Sequence, residues 1–249
     1  MTDIIILNRN LRLLDNAALH YGSLRSNFIV IYLYDNNYWK ANGKSLRQLK
    51  FSNNCLEELN VELRKINSAI NIFEGSFDEL KNWIHSNYKE FSIHMNHCTD
   101  IGYFRDGFER FKTHFRERLT IYDDFGLQLE NFNRDTWSRN WNHIMHKETL
   151  GSPKISHNKD KINLTDFESY KLKLNSNLKN LKSIQKGGTS VAKDLLDSFF
   201  EHRCEGYRTK MSSPLLSENT CSRLSPHFTY GSVSIKQVYQ QLNLSLIHI

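Results

Sequence analysis

Asp3-Ile4-Ile5-Ile6-Leu7, taken together with Phe28-Ile29-Val30-Ile31-Tyr32-Leu33-Tyr34, decides the fold. Both runs are short, continuous and apolar. That is the pattern of a strand covered on both faces, not the alternation of a half-solvated one. Residues 15–21 between them read as a helix, with Asp15 or Asn16 placed to cap its first turn. Two buried strands joined through a helix are expected to lie parallel, since the crossover needs a long connection and a hairpin does not.

The same unit repeats outward. Leu46, Leu49, Cys55, Leu56, Leu59, Leu63 and Ile66 recur at spacings that share one helix face. Residues 70–73 read as a third strand, 77–85 as a helix and 91–95 as a fourth strand. A helix rich in Arg and Phe follows over 103–118, and Leu119-Thr120-Ile121-Tyr122 gives a fifth strand. The alternation predicts a Rossmann-like α/β domain over residues 1–123, a five-stranded parallel sheet with helices on both faces. Its ligand crevice is expected beyond the carboxyl ends of the strands. Neither GxGxxG nor GxxxxGK[ST] occurs, so the pattern suits a nucleotide without naming one.

Composition sets further bounds. With 39% hydrophobic and 24% charged residues, the 249-residue chain is that of a globular protein. No run approaches the roughly 20 apolar residues of a membrane helix. The opening MTDIIILNRN lacks a basic segment ahead of an apolar one, so no secretory signal is expected and the cytoplasm is the default. A formal net charge of +6 fits a polyanionic partner and fits an evenly solvated basic surface equally well, because the basic residues are spread along the chain. Cys55, Cys98, Cys204 and Cys221 are far apart with no CxxC pair, which argues for free thiols. His94 to Cys98 gathers possible ligands without a second pair at ligand spacing, so no metal site is expected.

From residue 124 to 186 the character changes to Asn, Lys and Ser, as in His157–Lys161 and Lys173–Asn177. This reads as a connector running over the surface of the first domain, partly helical around 137–145. Trp137 and Trp141, four residues apart, are expected to bury one face of that helix. Residues 187–249 open on Gly187-Gly188 and continue as a helix to about Tyr207, with Val191, Leu195, Leu196 and Phe199 inward. After a polar loop over 211–219 come a short helix, a break at Gly231 and a new helix capped by Ser232 or Ser234. Just ahead of the short helix, Thr220 to Ser225 concentrates hydroxyls, backbone N–H groups and Arg223. Such a turn can hold a phosphate. On spacing alone, ordinary caps at Ser222 and Ser225 with a solvated Arg223 explain it as well.

The string from Gly187 to Tyr239 resembles the start of the helical flavin-binding domain of photolyases and cryptochromes. The family's [ST]SxLSPxxxxGxxSxRxV falls on Cys221-Ser222-Arg223-Leu224-Ser225-Pro226, Gly231, Ser234, Lys236 and Val238, preceded by Gly187-Gly188, Tyr207 and Pro214. The N-terminus is similar to the family's RxDLRLxDNxAL over residues 8–19, with Asn8 and Asn10 replacing Arg and Asp. Arg47 and Phe51 also resemble residues of relatives at the same stage. The resemblance implies a partial all-α FAD-binding domain over 187–249. It implies FAD as cofactor, its phosphates held by Tyr207, Cys221, Ser222, Arg223, Leu224 and Ser225. A hydroxyl residue is usual at Cys221, where a thiol donates more weakly. An Arg is common at Lys236, where the charge remains and the planar fork is lost.

The resemblance also implies a function: light-dependent repair of damaged DNA by a monomeric deoxyribodipyrimidine photolyase. Pyrimidine dimers, flipped out of the duplex, are split by an electron from excited reduced FAD. A cryptochrome-like blue-light sensor, or a non-catalytic nucleotide-binding fragment, is the alternative on the same fold. The catalytic residues and the antenna chromophore stay unassigned. Family members are longer, and the chain ends soon after a helix has begun. Leu244–Ile249 also look like a translated sequencing adapter. The chain therefore reads as a fragment, expected by itself to bind FAD poorly and to repair no dimers.

Overall fold

The computed structural model describes residues 1–124, 126, 133–158, 162–170 and 185–248, side chains beyond 243 excepted. Strand β1 (Thr2–Leu7) is buried along its whole length, as its unbroken apolar run requires. It pairs in parallel with β2 (Phe28–Tyr34) on one side and β4 (Phe91–Asn96) on the other. Next, β3 (Ile70–Glu74) extends the sheet beyond β2 and β5 (Leu119–Tyr122) beyond β4, again in parallel. The crossovers carry α1 (Ala17–Gly22), α2 (Asn36–Ala41), α3 (Leu46–Arg64), α4 (Phe77–Asn87) and α5 (Tyr103–His114). All five expected strands are present, and α2 is an added helix that Asp35 caps through Asn37 and Tyr38.

Local chemistry explains the helix starts. Asn16 accepts from the N–H of Leu19 at the head of α1. Ser45 with Gln48, and Ser76 with Glu79, form reciprocal capping boxes on α3 and α4. Gly22 lies where α1 crosses the sheet, and a Cβ there would come 2.7 Å from Ile5 and 3.1 Å from His94. The core is continuous from β1 through α3 and α5, and includes Phe28, Leu63, Ile84, Phe104, Phe108 and Phe111.

The connector departs from expectation. Instead of only running over the surface, it supplies a sixth strand, β6 (Thr165–Asp166), antiparallel to β3. It also sends Phe167 and Tyr170 into the core, the latter with its ring 5.5 Å from Tyr34. Without β6 the outer edge of β3 would leave a row of unpaired backbone groups. A two-residue strand has no periodicity to betray it. The helix expected near residue 137 is α6 (Arg134–Met145), but Trp137 is not buried. Its ring stacks on Trp141 at 6.3 Å and remains exposed, while Trp141 meets Tyr239 edge-on at 5.2 Å. Lys159–Lys161 and the run Lys173–Asn177 lie outside the described residues, as do the side chains of Leu244–Ile249.

The last part is helical. Helix α7 (Thr189–Glu201) ends at His202, short of the expected Tyr207, and a 3-10 turn (Arg203–Gly206) leads into α8 (Tyr207–Lys210). Then come α9 (Ser217–Thr220), α10 (Ser225–Tyr230) and α11 (Ile235–His248). Ala192, Leu196, Leu224 and Val233 form a small core of their own, with Leu195, Phe200, Phe228 and Val238 against it. Of the two serines expected to cap α11, Ser234 does so, in a reciprocal pair with Gln237. Ser232 instead bonds the His227 ring at 2.8 Å.

Candidate functional site

Three layers bring the marked residues together: the seam between sheet and helices, the phosphate-like turn, and the crevice at the strand ends. At the seam, the two sequence motifs that resemble the family meet each other. The loop after β1 sits on the end of α10. Leu11 donates its N–H to the Tyr230 carbonyl at 3.0 Å, and Arg12 donates to the Gly231 carbonyl at 3.1 Å. Arg12, almost wholly buried, also reaches the Asp15 carbonyl and pairs with Asp124, which takes a second bond from Asn10. Lys236 of α11 closes the far side with a 2.6 Å ion pair to Asp15.

Glycine is required at two points of this seam. Gly231 has φ +66°, and a Cβ there would lie 2.4 Å from the Cα and N of Asn10. A Cβ on Gly187 would lie 2.3 Å from the Phe51 carbonyl oxygen of α3. Beside it, Glu58 of α3 accepts from the Ser190 N–H at 2.8 Å and its hydroxyl at 3.0 Å, capping α7 from another helix. Phe51 packs against His227 and Tyr230. Burial pushes the His227 imidazole down to about 4, so the ring is neutral. Arg47, by contrast, is exposed. Thus Gly187, Phe51, Gly231 and Lys236 join the two halves of the structure.

The turn is the second layer. Arg223 has φ +63°, unusual for a residue with a side chain, and this folds Cys221–Leu224 into a tight bend. Neither serine caps α10 through its side chain; the nearest contact is the Leu224 N–H to the Ser222 hydroxyl at 3.5 Å. Among the described residues, no acceptor takes the N–H groups of Ser222 and Arg223. Leu224 sits in the helical core, so only its backbone faces the bend. Gln185 donates to the Arg223 carbonyl at 2.7 Å.

Arg203 underlies the turn, and sequence reasoning missed it. Its guanidinium donates to the Cys221 carbonyl, to the Leu195 carbonyl and to the Ser198 hydroxyl. It lies 5.7 Å over the Phe199 ring, whose edge meets Tyr207 at 5.7 Å. Tyr207, Phe199, Arg203 and Cys221 therefore form one connected chain of contacts, with the Tyr207 ring 39% exposed. Burial, and then the neighbouring charge of Arg223, lower the Arg203 pKa. The carboxylate paired with Arg223 is Glu218 at 3.4 Å, itself largely in solvent. The bend thus combines two N–H groups that meet no acceptor among the described residues with the nearby charge of Arg223 and of Arg203, the latter bonded to Ser198, Leu195 and Cys221. Because α10 has six residues, its dipole adds little.

The crevice is the third layer. The strand order β5-β4-β1-β2-β3-β6 reverses direction between β1 and β4, where open α/β sheets bind ligands. Here Arg9, from beyond β1, pairs with Asp100, from beyond β4, and the Tyr38 hydroxyl donates to the same carboxylate. Lys44 lies 4.9 Å over the Tyr38 ring. Burial and the Asp100 charge push the Tyr38 phenol up, and burial lowers the Lys44 ammonium. The remaining space among Arg9, Tyr32, Tyr38, Trp39, Lys44 and Tyr230 is about 10 Å³. That is room for one water, far below the several hundred Å³ of a ligand pocket. His94, read above with possible metal ligands nearby, bonds Asp3 at 3.2 Å and Tyr122 at 2.9 Å.

Comparison with known proteins bears on this arrangement. Residues 4–101 match the family model described as DNA photolyase. The whole fold superposes on three solved structures, each with a TM-score of 0.71. Residues 4–101 are thus similar to the DNA photolyase family, and the fold is that of photolyases and cryptochromes. One of the three is an archaeal photolyase from Sulfolobus tokodaii, solved with two FAD molecules; it is 23% identical, and 98% of this chain covers 55% of it. A bacterial class III photolyase from Agrobacterium tumefaciens is 17% identical, with 100% and 54% covered. A cryptochrome from a Synechocystis species is 15% identical, with 98% and 56% covered. The chain thus spans about half the length of these photolyase and cryptochrome structures. No curated protein sequence matches it. No helix among the described residues is long and apolar enough to cross a membrane.

Proposed function

We propose that this chain is the N-terminal and phosphate-holding part of a DNA-repair flavoprotein. Tyr207, Cys221, Ser222, Arg223, Leu224 and Ser225 would hold the diphosphate of FAD. The observation that carries the reading is the bend at Arg223, with N–H groups at Ser222 and Arg223 that meet no acceptor among the described residues and with Arg203 bonded to the Cys221 carbonyl. Its donor set fits a diphosphate. Leu224 would contribute through its backbone alone, and Cys221 keeps its carbonyl turned to Arg203. When bound, FAD supplies the light-driven electron that cleavage of a pyrimidine dimer needs.

The protein's own residues bind and orient. Arg223 and Arg203 would offset the diphosphate charge, and Tyr207 would cover one side of the bend. The seam of Arg12, Asp15, Gly231 and Lys236 would keep the turn fixed relative to the sheet. Damaged DNA, bound by a monomer, is the substrate this reading assigns to the whole protein. A blue-light sensor is the second reading, favoured by the resemblance to the Synechocystis cryptochrome and separated by the same test.

The chain is purified with added FAD, freed of unbound cofactor, and examined by absorption and by blue-light repair of a dimer-containing oligonucleotide. A version extended with the downstream helices of a relative is treated in parallel. The chain alone is expected to retain little flavin, and the extended version to retain it and to repair. Flavin retention without repair in the extended version would favour the sensor. No retention in either version would refute the FAD reading.

A further inference from the structure

We propose that Arg203 is the positioning residue of the Cys221–Ser225 turn, setting both its shape and its affinity for a diphosphate. The inference rests on the phosphate reading of the turn and adds a residue that lies outside the motif. Three observations converge on it. First, one planar guanidinium joins three places: the Leu195 carbonyl, the Ser198 hydroxyl and the Cys221 carbonyl. It thereby ties the last turns of α7 to the residue at which the bend begins. A lysine has three donors on a single atom and could not span the same three acceptors in one plane.

Second, the direction of the tie matters. With the Cys221 carbonyl held by Arg203, the Ser222 N–H of the same trans peptide points the opposite way, and neither it nor the Arg223 N–H has an acceptor among the described residues. Arg223 at φ +63° completes that turn of the backbone. Without Arg203, the Cys221 carbonyl would be left in a half-buried place without its charged donor, and the bend could relax. Third, Arg203 and Arg223 raise the local positive charge together, while the carboxylate paired with Arg223, Glu218, lies largely in solvent. The mutual repulsion is relieved when an anion lies between or beside them.

The test is a titration of the 15N-labelled chain with ADP, which carries the diphosphate and adenosine half of FAD, followed through the amide resonances of Ser222 and Arg223. Wild type is compared with Arg203→Met and Arg203→Lys. ADP is expected to shift both amides in the wild type, with affinity at least tenfold weaker in Arg203→Met and partly recovered in Arg203→Lys. The rest of the spectrum should stay native in both variants. Equal ADP affinity in wild type and Arg203→Met would overturn the role of Arg203 and leave the phosphate reading standing. No ADP-induced shift in the wild type would overturn that reading and the inference with it. If Arg203→Met loses the native spectrum, Arg203→Lys decides: a native Arg203→Lys with ADP affinity equal to wild type would also overturn the inference.

Discussion

Replacing Gly231 by alanine tests the seam on which the geometry of the helical part depends. At φ +66° a side chain costs about 1–2 kcal/mol from backbone crowding alone. The new Cβ would also lie 2.4 Å from the Cα and N of Asn10, and backbone atoms cannot rotate out of the way. The loop after β1 must then lift from α10, breaking the Leu11 bond to Tyr230 and the Arg12 bond to Gly231. A neutral and a charge-assisted hydrogen bond together are worth roughly 2–4 kcal/mol, so the total loss is about 3–6 kcal/mol. Gly43 is the matched control, with φ +58° and nothing within 4 Å of an added Cβ. Gly43→Ala should therefore show only the backbone term, about 1–2 kcal/mol. Urea unfolding followed by circular dichroism measures both. If Gly231→Ala unfolds no earlier than Gly43→Ala, the end of α10 does not rest on the Asn10 loop and the seam described here is wrong.

Three further outcomes follow from buried charge and hydrogen bonding. His227 has its pKa lowered to about 4 by burial, so below the unfolded value of about 6.5 the unfolded chain takes up a proton that the folded one refuses. Stability should be flat for this group above pH 6.5 and fall by at most roughly 3 kcal/mol between pH 6.5 and 4, a slope that His227→Gln flattens; an unchanged slope in the variant would place the titration elsewhere. Lys236→Met leaves the buried Asp15 carboxylate without its cation and should cost on the order of 3 kcal/mol, largely restored by Lys236→Arg. A midpoint for Lys236→Met equal to wild type in urea would mean that the ion pair is not held in solution. Tyr38→Phe removes one donor from Asp100 in the closed crevice and should lower stability by about 1–3 kcal/mol, read from the same unfolding curves. No change would show that water replaces the phenol at no cost.

Much of the sheet was legible because its strands are buried on both faces, and such strands must be unbroken apolar runs. Asp3–Leu7 and Phe28–Tyr34 stand where they were expected for that reason, while the edge strand Leu119–Tyr122 stands where expected but is only partly buried. The caps at Asn16 and Ser234 were equally legible, since a cap is a contact between residues three apart in the chain. Trp137 was misread because spacing places a residue on a helix face without saying whether another element covers it. Helix α2 and strand β6 were missed because a six-residue helix and a two-residue strand carry too few residues for a period to show.

The sequence by itself determined the parallel α/β half, the resemblance to photolyases and cryptochromes, and the stretch of chain that a phosphate reading singles out. Tertiary structure alone decided what the marked residues do. It placed Gly187, Phe51, Gly231 and Lys236 in a seam between the two halves, filled the strand-end crevice with Arg9, Tyr38 and Lys44, and put Arg203 beneath the Cys221–Ser225 bend. The physical reason is the range of the contacts. Periodicity and capping act within a few residues, so a linear reading records them. Arg12 meets Gly231 across 219 residues and Ser190 meets Glu58 across 132, and pairs at such separations come together only when the packed core has fixed where each element lies.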